Sequence, residues 1–191
     1  MEHRLTTPLS AKDVIKLIAG DVVYLNGIII TARDKAHDRL LQWSREGKKI
    51  PFDLEGATIY HCGPLMRKKT ALSAGPTTSA RMSEMTPELL KSFDIRAIIG
   101  KGGMGITEAL RDKCVYLAYT GGCGSAAAKQ IKRVVGNHWA DLGMAESVWV
   151  LEVENFGPLI VATDAHGNDL FDDVQKKANE KVQVKGSVEL P

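Results

Sequence analysis

Aromatic residues are scarce in this chain, 6% of its 191 residues, and none is interleaved with a basic run. That argues against a single-stranded nucleic-acid platform, which stacks bases on aromatic side chains along a charged groove. Net charge is equally thin: 25 Lys and Arg against 23 Asp and Glu leave +2. No whole-surface field therefore favours a nucleic acid or a membrane. Cysteine is limited to Cys62, Cys114 and Cys123. An odd number with no close pair is not a disulfide framework, and the spacing lacks the clustering of a zinc or iron–sulfur site. The three read as buried free thiols, which pack as small apolar groups. No apolar run approaches a membrane span, and the run Met1-Glu2-His3-Arg4-Leu5-Thr6-Thr7-Pro8 lacks the apolar core of a signal peptide. The expectation is a cytoplasmic protein with neither a membrane nor a nucleic-acid partner.

What is present suits one soluble domain over residues 1–191, with 44% hydrophobic and 25% charged residues. Residues 10–19 read as a helix with Ser10 as cap and Asp13 three residues on. Residues 21–26 and 28–31 are β-branched runs separated by Asn26-Gly27, a hairpin signal. A helix over residues 35–46 places Arg33 just before its start. Strands are expected at 57–62, 69–74, 95–99, 114–119, 148–153 and 159–163, and helices at 86–93, 125–135 and 170–184. Three times a strand runs into a glycine or threonine turn and then a helix, at Gly75, Gly100 and Gly121. Such alternation predicts an α/β fold, a parallel or mixed sheet with flanking helices. Ligands gather at the carboxyl ends of such strands, so the three turns should share one rim.

The stretch Ser73-Ala74-Gly75-Pro76-Thr77-Thr78-Ser79-Ala80-Arg81 organises the rest. Gly75-Pro76 breaks a strand, and Thr77, Thr78 or Ser79 can cap a helix carrying Arg81 in its first turn. Free N–H groups at a helix start hold anions, and an arginine one turn in suits a carboxylate. Gly100-Lys101-Gly102-Gly103-Met104-Gly105 matches neither G-x-x-x-x-G-K-[ST] nor G-x-G-x-x-G. What remains is a set of cations, Arg33, Arg81 and Lys101, each at a strand end or helix start. Such a set suits a small di- or tricarboxylate better than a single phosphate. His37 lies four residues after Arg33, one helical turn on, where it can orient Arg33 or line the site. A plain helix-side histidine is the alternative reading for His37 and the reading for His138 and His166, and His61 beside Cys62 resembles a metal pair only superficially, because strand alternation points the two to opposite faces.

Several spaced motifs carry a family resemblance. They are Gly-Asp-Val-Val-Tyr-Leu at 20–25, Thr31-Ala32-Arg33-Asp34 with His37, and His61-Cys62-Gly63-Pro64. Gly75-Pro76-Thr77-Thr78 with Arg81 and the Gly100 to Gly105 loop follow. Phe156-Gly157-Pro158-Leu159-Ile160-Val161 with Asp164 and His166-Gly167-Asn168 completes the set. Together they resemble the β subunit of iron–sulfur-dependent class I fumarate hydratases and, equally in signature, the β subunit of L-tartrate dehydratase. The resemblance implies a swivelling β/β/α domain and a hydro-lyase site shared with a cysteine-bearing α subunit that holds a 4Fe–4S cluster, in a hetero-oligomer. It implies that Arg33, Arg81 and Lys101 bind substrate carboxylates, that Thr77 is the proposed catalytic base, and that Thr78 is its neighbour at the substrate. None of this chain's cysteines matches a cluster ligand. Interconversion of (S)-malate and fumarate is the first expected activity, tartrate dehydration the second, and a stand-alone carboxylate-binding module the rival from another class.

Overall fold

The computed structural model describes residues 1–186. In chain order it contains β1 (Glu2–Thr6), α1 (Ala11–Ile15), β2 (Val22–Thr31), α2 (Asp34–Arg45), β3 (Ala57–Tyr60), β4 (Leu65–Arg67) and β5 (Thr70–Ser73). A 3-10 turn (Ser79–Met82) precedes α3 (Thr86–Ser92) and β6 (Ile95–Gly100). Then come α4 (Thr107–Leu110), β7 (Val115–Ala118), α5 (Gly124–Lys129), β8 (Ile131–His138), β9 (Val148–Thr163) and α6 (Leu170–Gly186).

Seven strands form one mixed sheet in the order β1-β2-β3-β6-β7-β9-β8, and β4 with β5 makes a separate hairpin. Strands β1, β2, β3, β6 and β7 run parallel along the series, while β9 is antiparallel to β2, β7 and β8. Because β9 pairs with both β2 and β7, the strands β2, β3, β6, β7 and β9 close into a ring. Strand alternation then divides the apolar residues in two. One buried cluster collects Leu25, Tyr60, Ile99, Leu117 and Phe156 with Val14 and Leu17. The other collects Ile59, Ile98, Tyr116 and Ala162 with Leu40 and Leu41 of α2 and Leu89 and Leu90 of α3. The parallel or mixed sheet with flanking helices is therefore as the strand–turn–helix alternation implied.

Local sequence explains several elements directly. Ser10 Oγ accepts from the Asp13 amide at 3.2 Å while the Asp13 carboxylate accepts from the Ser10 amide at 3.1 Å, a complete capping box for α1. In α2, Ala36, Leu40 and Leu41 fall on one face at helical spacing and are buried there.

Other expectations are corrected. Asn26-Gly27 makes no hairpin: β2 runs unbroken from Val22 to Thr31, and the register against β9 slips around Leu25 and Gly27. The dipeptide serves a bulge instead. Gly27 has φ +93°, and a Cβ there would lie 2.7 Å from the Thr7 carbonyl. The two late strands are one, β9, bent where Asn155 and Gly157 take positive φ. The helix expected over 125–135 stops at Lys129, and Ile131, Val134 and Val135 instead join β8 against β9, where β-branched side chains pack well. The helix after the Gly100 loop is only the short α4.

Candidate carboxylate site

Only the turns after β6 and β7 end strands of the main sheet; the Gly75 turn meets them although β5, which leads into it, pairs only with β4 in the separate hairpin. The Ala74 amide donates to the Gly124 carbonyl at 3.0 Å, and the Tyr119 amide donates to the Gly100 carbonyl at 2.7 Å. Between the ends of β3 and β6 the chain inserts residues 76–79 as a short extended wedge. The Thr77 amide donates to the His61 carbonyl at 2.7 Å, the Lys101 amide to the Thr77 carbonyl at 3.2 Å, and the Ser79 amide to the Lys101 carbonyl at 3.1 Å. This corrects the expected capped helix. Residues 79–82 form a 3-10 turn, Thr78 caps it with no side-chain hydrogen bond, and the backbone donors of the stretch are spent on sheet-like pairing. A helix dipole contributes nothing here; the cationic side chains supply the field.

Ser79 anchors the wedge from below. It is buried, and its Oγ lies 2.8 Å from His61 Nδ1 and 3.0 Å from Tyr116 Oη; Tyr116 Oη donates to the Gly102 carbonyl at 2.7 Å. Since the tyrosine proton goes to a carbonyl, the Ser79 hydroxyl is left to donate to Tyr116 and accept from a protonated His61 Nδ1. His37 donates from Nδ1 to the Arg33 carbonyl at 3.0 Å, and the two imidazoles meet edge to face with centroids 5.1 Å apart. Both rings are fully buried, and each Nε2 lacks a hydrogen-bond partner among the described residues. Burial lowers the His37 pKa, and burial together with the nearby His37 and Arg81 holds His61 well below the usual imidazole value. Both are neutral near pH 7. His37 therefore braces the start of α2 under Arg33.

The charged side chains meet above this base. Arg33 precedes α2 in extended conformation. Its Nη2 lies 3.1 Å from Glu146 Oε1 and 3.7 Å from Asp34 Oδ2. Arg81 Nη2 donates to the same Asp34 Oδ2 at 3.0 Å and to Thr77 Oγ1 at 3.0 Å. Two guanidiniums from elements far apart in the chain thus converge on one carboxylate oxygen, with Thr77 beside them. Glu146 uses its other oxygen to accept from the Lys35 amide at 3.1 Å, which caps α2 from across the fold. Lys101 is held to this group through its backbone. Its side chain runs along the Gly121 turn, with Nζ 4.0 Å from where a Cβ on Gly121 would sit, and its ammonium has no ion pair among the described residues. Thr78 is exposed.

Asp34, Glu146, Ser79 and His61 were not marked by sequence as site residues. Asp34 had a signal, an acid beside an arginine at a helix start; Glu146 had none, because only closure of the fold brings residue 146 to residue 33. Cys62 and Cys114 are buried in opposite apolar clusters, Cys62 bridging Pro76 beneath the site, and burial pushes the Cys62 thiol up to about 12; Cys123, expected to be buried as well, is only partly so. Among the described residues no group of three or more His, Cys, Asp or Glu side chains is placed to hold a metal ion. No helix among the described residues is long and apolar enough to cross a membrane.

Comparison with known proteins places these features in context. The family model described as Fumarase C-terminus matches residues 2–174. A Methanocaldococcus jannaschii protein named "Putative L(+)-tartrate dehydratase subunit beta" is 50% identical over 182 residues, covering 91% of this chain and 93% of its own. The Escherichia coli protein named L(+)-tartrate dehydratase subunit beta is 42% identical over 183 residues, 92% of this chain and 90% of that one. A Geobacillus stearothermophilus protein named "Putative fumarate hydratase class I" is 39% identical over 186 residues, 93% of this chain but 35% of the longer relative.

Proposed function

The chain belongs to the Fumarase C-terminus family, and on that premise we propose that it is the substrate-gripping β subunit of a hydro-lyase that interconverts (S)-malate and fumarate. The observation that carries this reading is the meeting of Arg33 and Arg81 at one carboxylate oxygen, 3.7 Å and 3.0 Å away. Each guanidinium carries donors beyond the one on Asp34 Oδ2, and the planar fork of arginine matches carboxylate geometry. On this reading an α subunit bearing cysteines completes the site and contributes a 4Fe–4S cluster, and no ligand for that cluster comes from this chain.

The role of the present residues follows from charge. Removing a proton from the carbon next to a carboxylate spreads negative charge onto that carboxylate. Arg81 and Lys101 stabilise that developing charge, an effect of about 3 kcal/mol for one well-placed donor. Arg33 holds the substrate carboxylate in register. Thr77 is the proton acceptor in this scheme. A threonine hydroxyl is a weak base alone; Arg81 Nη2 donates to its Oγ1 at 3.0 Å, which favours the deprotonated oxygen, and a group of the α subunit takes up the hydroxyl proton first. Thr78 lines the substrate beside it.

A second reading, dehydration of L(+)-tartrate to oxaloacetate, is favoured by the printed names of the relatives at 50% and 42% identity. Both substrates are four-carbon dicarboxylates that the same cations would grip. A carboxylate-binding module with no catalytic role is the remaining rival. The test is co-expression with a cysteine-bearing α subunit, followed by assays with malate, fumarate and L(+)-tartrate. The assembled complex should turn over malate and the isolated chain should not. Turnover of tartrate alone would replace the first reading by the second. Malate turnover by the chain alone, or none of the three by an iron-loaded complex, would overturn the proposal.

A further inference from the structure

Asp34 is the acid that the grip does not by itself explain. Glu146, the other acid beside Arg33, is locked: one oxygen lies on Arg33 and the other on the Lys35 amide. Asp34 is held differently. Its Oδ2 alone faces both guanidiniums, at 3.0 Å from Arg81 Nη2 and 3.7 Å from Arg33 Nη2. Arg81 needs such a partner. It projects from a 3-10 turn, its side chain is 45% exposed, and its other hydrogen bond goes to the neutral Thr77 hydroxyl. An arginine with that much freedom samples many rotamers, and a second guanidinium nearby repels it. A shared anion removes both problems.

We propose that Asp34 is a positioning residue, whose carboxylate bridges Arg33 and Arg81 and keeps the Arg81 guanidinium turned toward Thr77 and the substrate space before substrate arrives. This rests on the reading that the two arginines bind a substrate carboxylate, and it goes beyond that reading by assigning their preset spacing to a third residue. A simpler role exists for an acid in the first turn of α2, a favourable interaction with the helix start. That role would alter stability and leave substrate affinity alone.

The experiment uses the assembled two-subunit complex, with KM and kcat measured for malate and L(+)-tartrate and the melting temperature taken alongside. D34N should raise KM about tenfold, a change of about 1.4 kcal/mol, with a smaller effect on kcat and little change in melting temperature. D34E should recover part of the loss, since it restores an anion on a longer arm. In an R81A background D34N should cost nothing further, because the residue acts through Arg81. Should D34N prevent assembly, D34S, which keeps a polar group at the helix start, is read in the same way. An unchanged KM in D34N while R81A is impaired would overturn the positioning role and leave the substrate reading standing. A lowered KM would do the same, by making Asp34 a competitor of the substrate. Wild-type kinetics in R81A would remove the substrate reading first.

Discussion

Substituting Gly63 by alanine reaches Arg33 without changing a charge. Gly63 lies just beyond β3, and a Cβ placed on it would lie 2.6 Å from Arg33 Nη1, 3.0 Å from Arg33 Cδ and 2.8 Å from the Ala145 carbonyl oxygen. Ordinary contacts begin near 3.4 Å, so the guanidinium must withdraw by roughly 1 Å, and the backbone around residue 145 must give as well. That backbone carries Glu146, the carboxylate 3.1 Å from Arg33 Nη2. The methyl group therefore pushes on the arginine and on its tether together. A displacement of about 1 Å at a substrate-holding group costs up to about a hundredfold in rate, or about 2.7 kcal/mol. The cost in stability should fall within the roughly 1–3 kcal/mol typical of overpacking, because the Ala145 backbone carbonyl must move as well as the arginine. The assay is kcat/KM for malate and L(+)-tartrate on the assembled complex, with urea unfolding of the isolated chain as the control. A kcat/KM within about threefold of wild type, with the fold intact, would refute the assignment of Arg33 as a held carboxylate ligand.

Two further predictions concern the buried layer beneath the cations. His37 and His61 both have pKa values lowered from 6.5 by burial. The unfolded chain therefore takes up protons near pH 6.5 that the folded chain refuses, and stability should be full above that pH and fall as the pH drops below it. Urea unfolding at about pH 7.5 and pH 5.5 should show this loss, and H61N should reduce it while leaving the share of His37; an equal slope in H61N would exclude His61 as a source. Ser79→Ala removes the shared partner of His61 Nδ1 and Tyr116 Oη, and should lower unfolding free energy by about 1–3 kcal/mol. An unchanged urea midpoint would mean that this chain of hydrogen bonds does not form.

Where the sequence was legible, one local rule sufficed. Ser10 and Asp13 cap α1 as their spacing implied, and Arg33 stands before α2 as the onset of apolar periodicity implied. The glycine turns after β6 and β7 meet each other because parallel strands end on one rim, and the first of them pairs with the wedge. It failed where tertiary context overrode a local signal. Asn26-Gly27 would turn a free chain, but β1 and β9 flank it on both sides and hold β2 straight through. Alanines at 126–128 begin a helix that β9 then captures as β8. The wedge of residues 76–79 was read as a helix cap because its hydroxyls fit that pattern, yet its amides go to His61 and Lys101 carbonyls that sequence spacing could not have placed nearby. Glu146 and the His61–Ser79–Tyr116 chain were hidden for the same reason.

Strand β9 carries a consequence for how the molecule comes into being. Its residues 148–163 supply the seam that joins β2 to β7, across a gap of more than a hundred positions from the first of those partners. Contacts so remote along the chain are slow to form, because the loop between them must be closed first. During synthesis the arginine at 33 and the arginine at 81 leave the ribosome well before that seam, so the pair has no rigid frame until β9 has emerged. A premature stop ahead of residue 148 would leave an open sheet with a bare edge, a species more prone to stick to its neighbours than to bind a small acid.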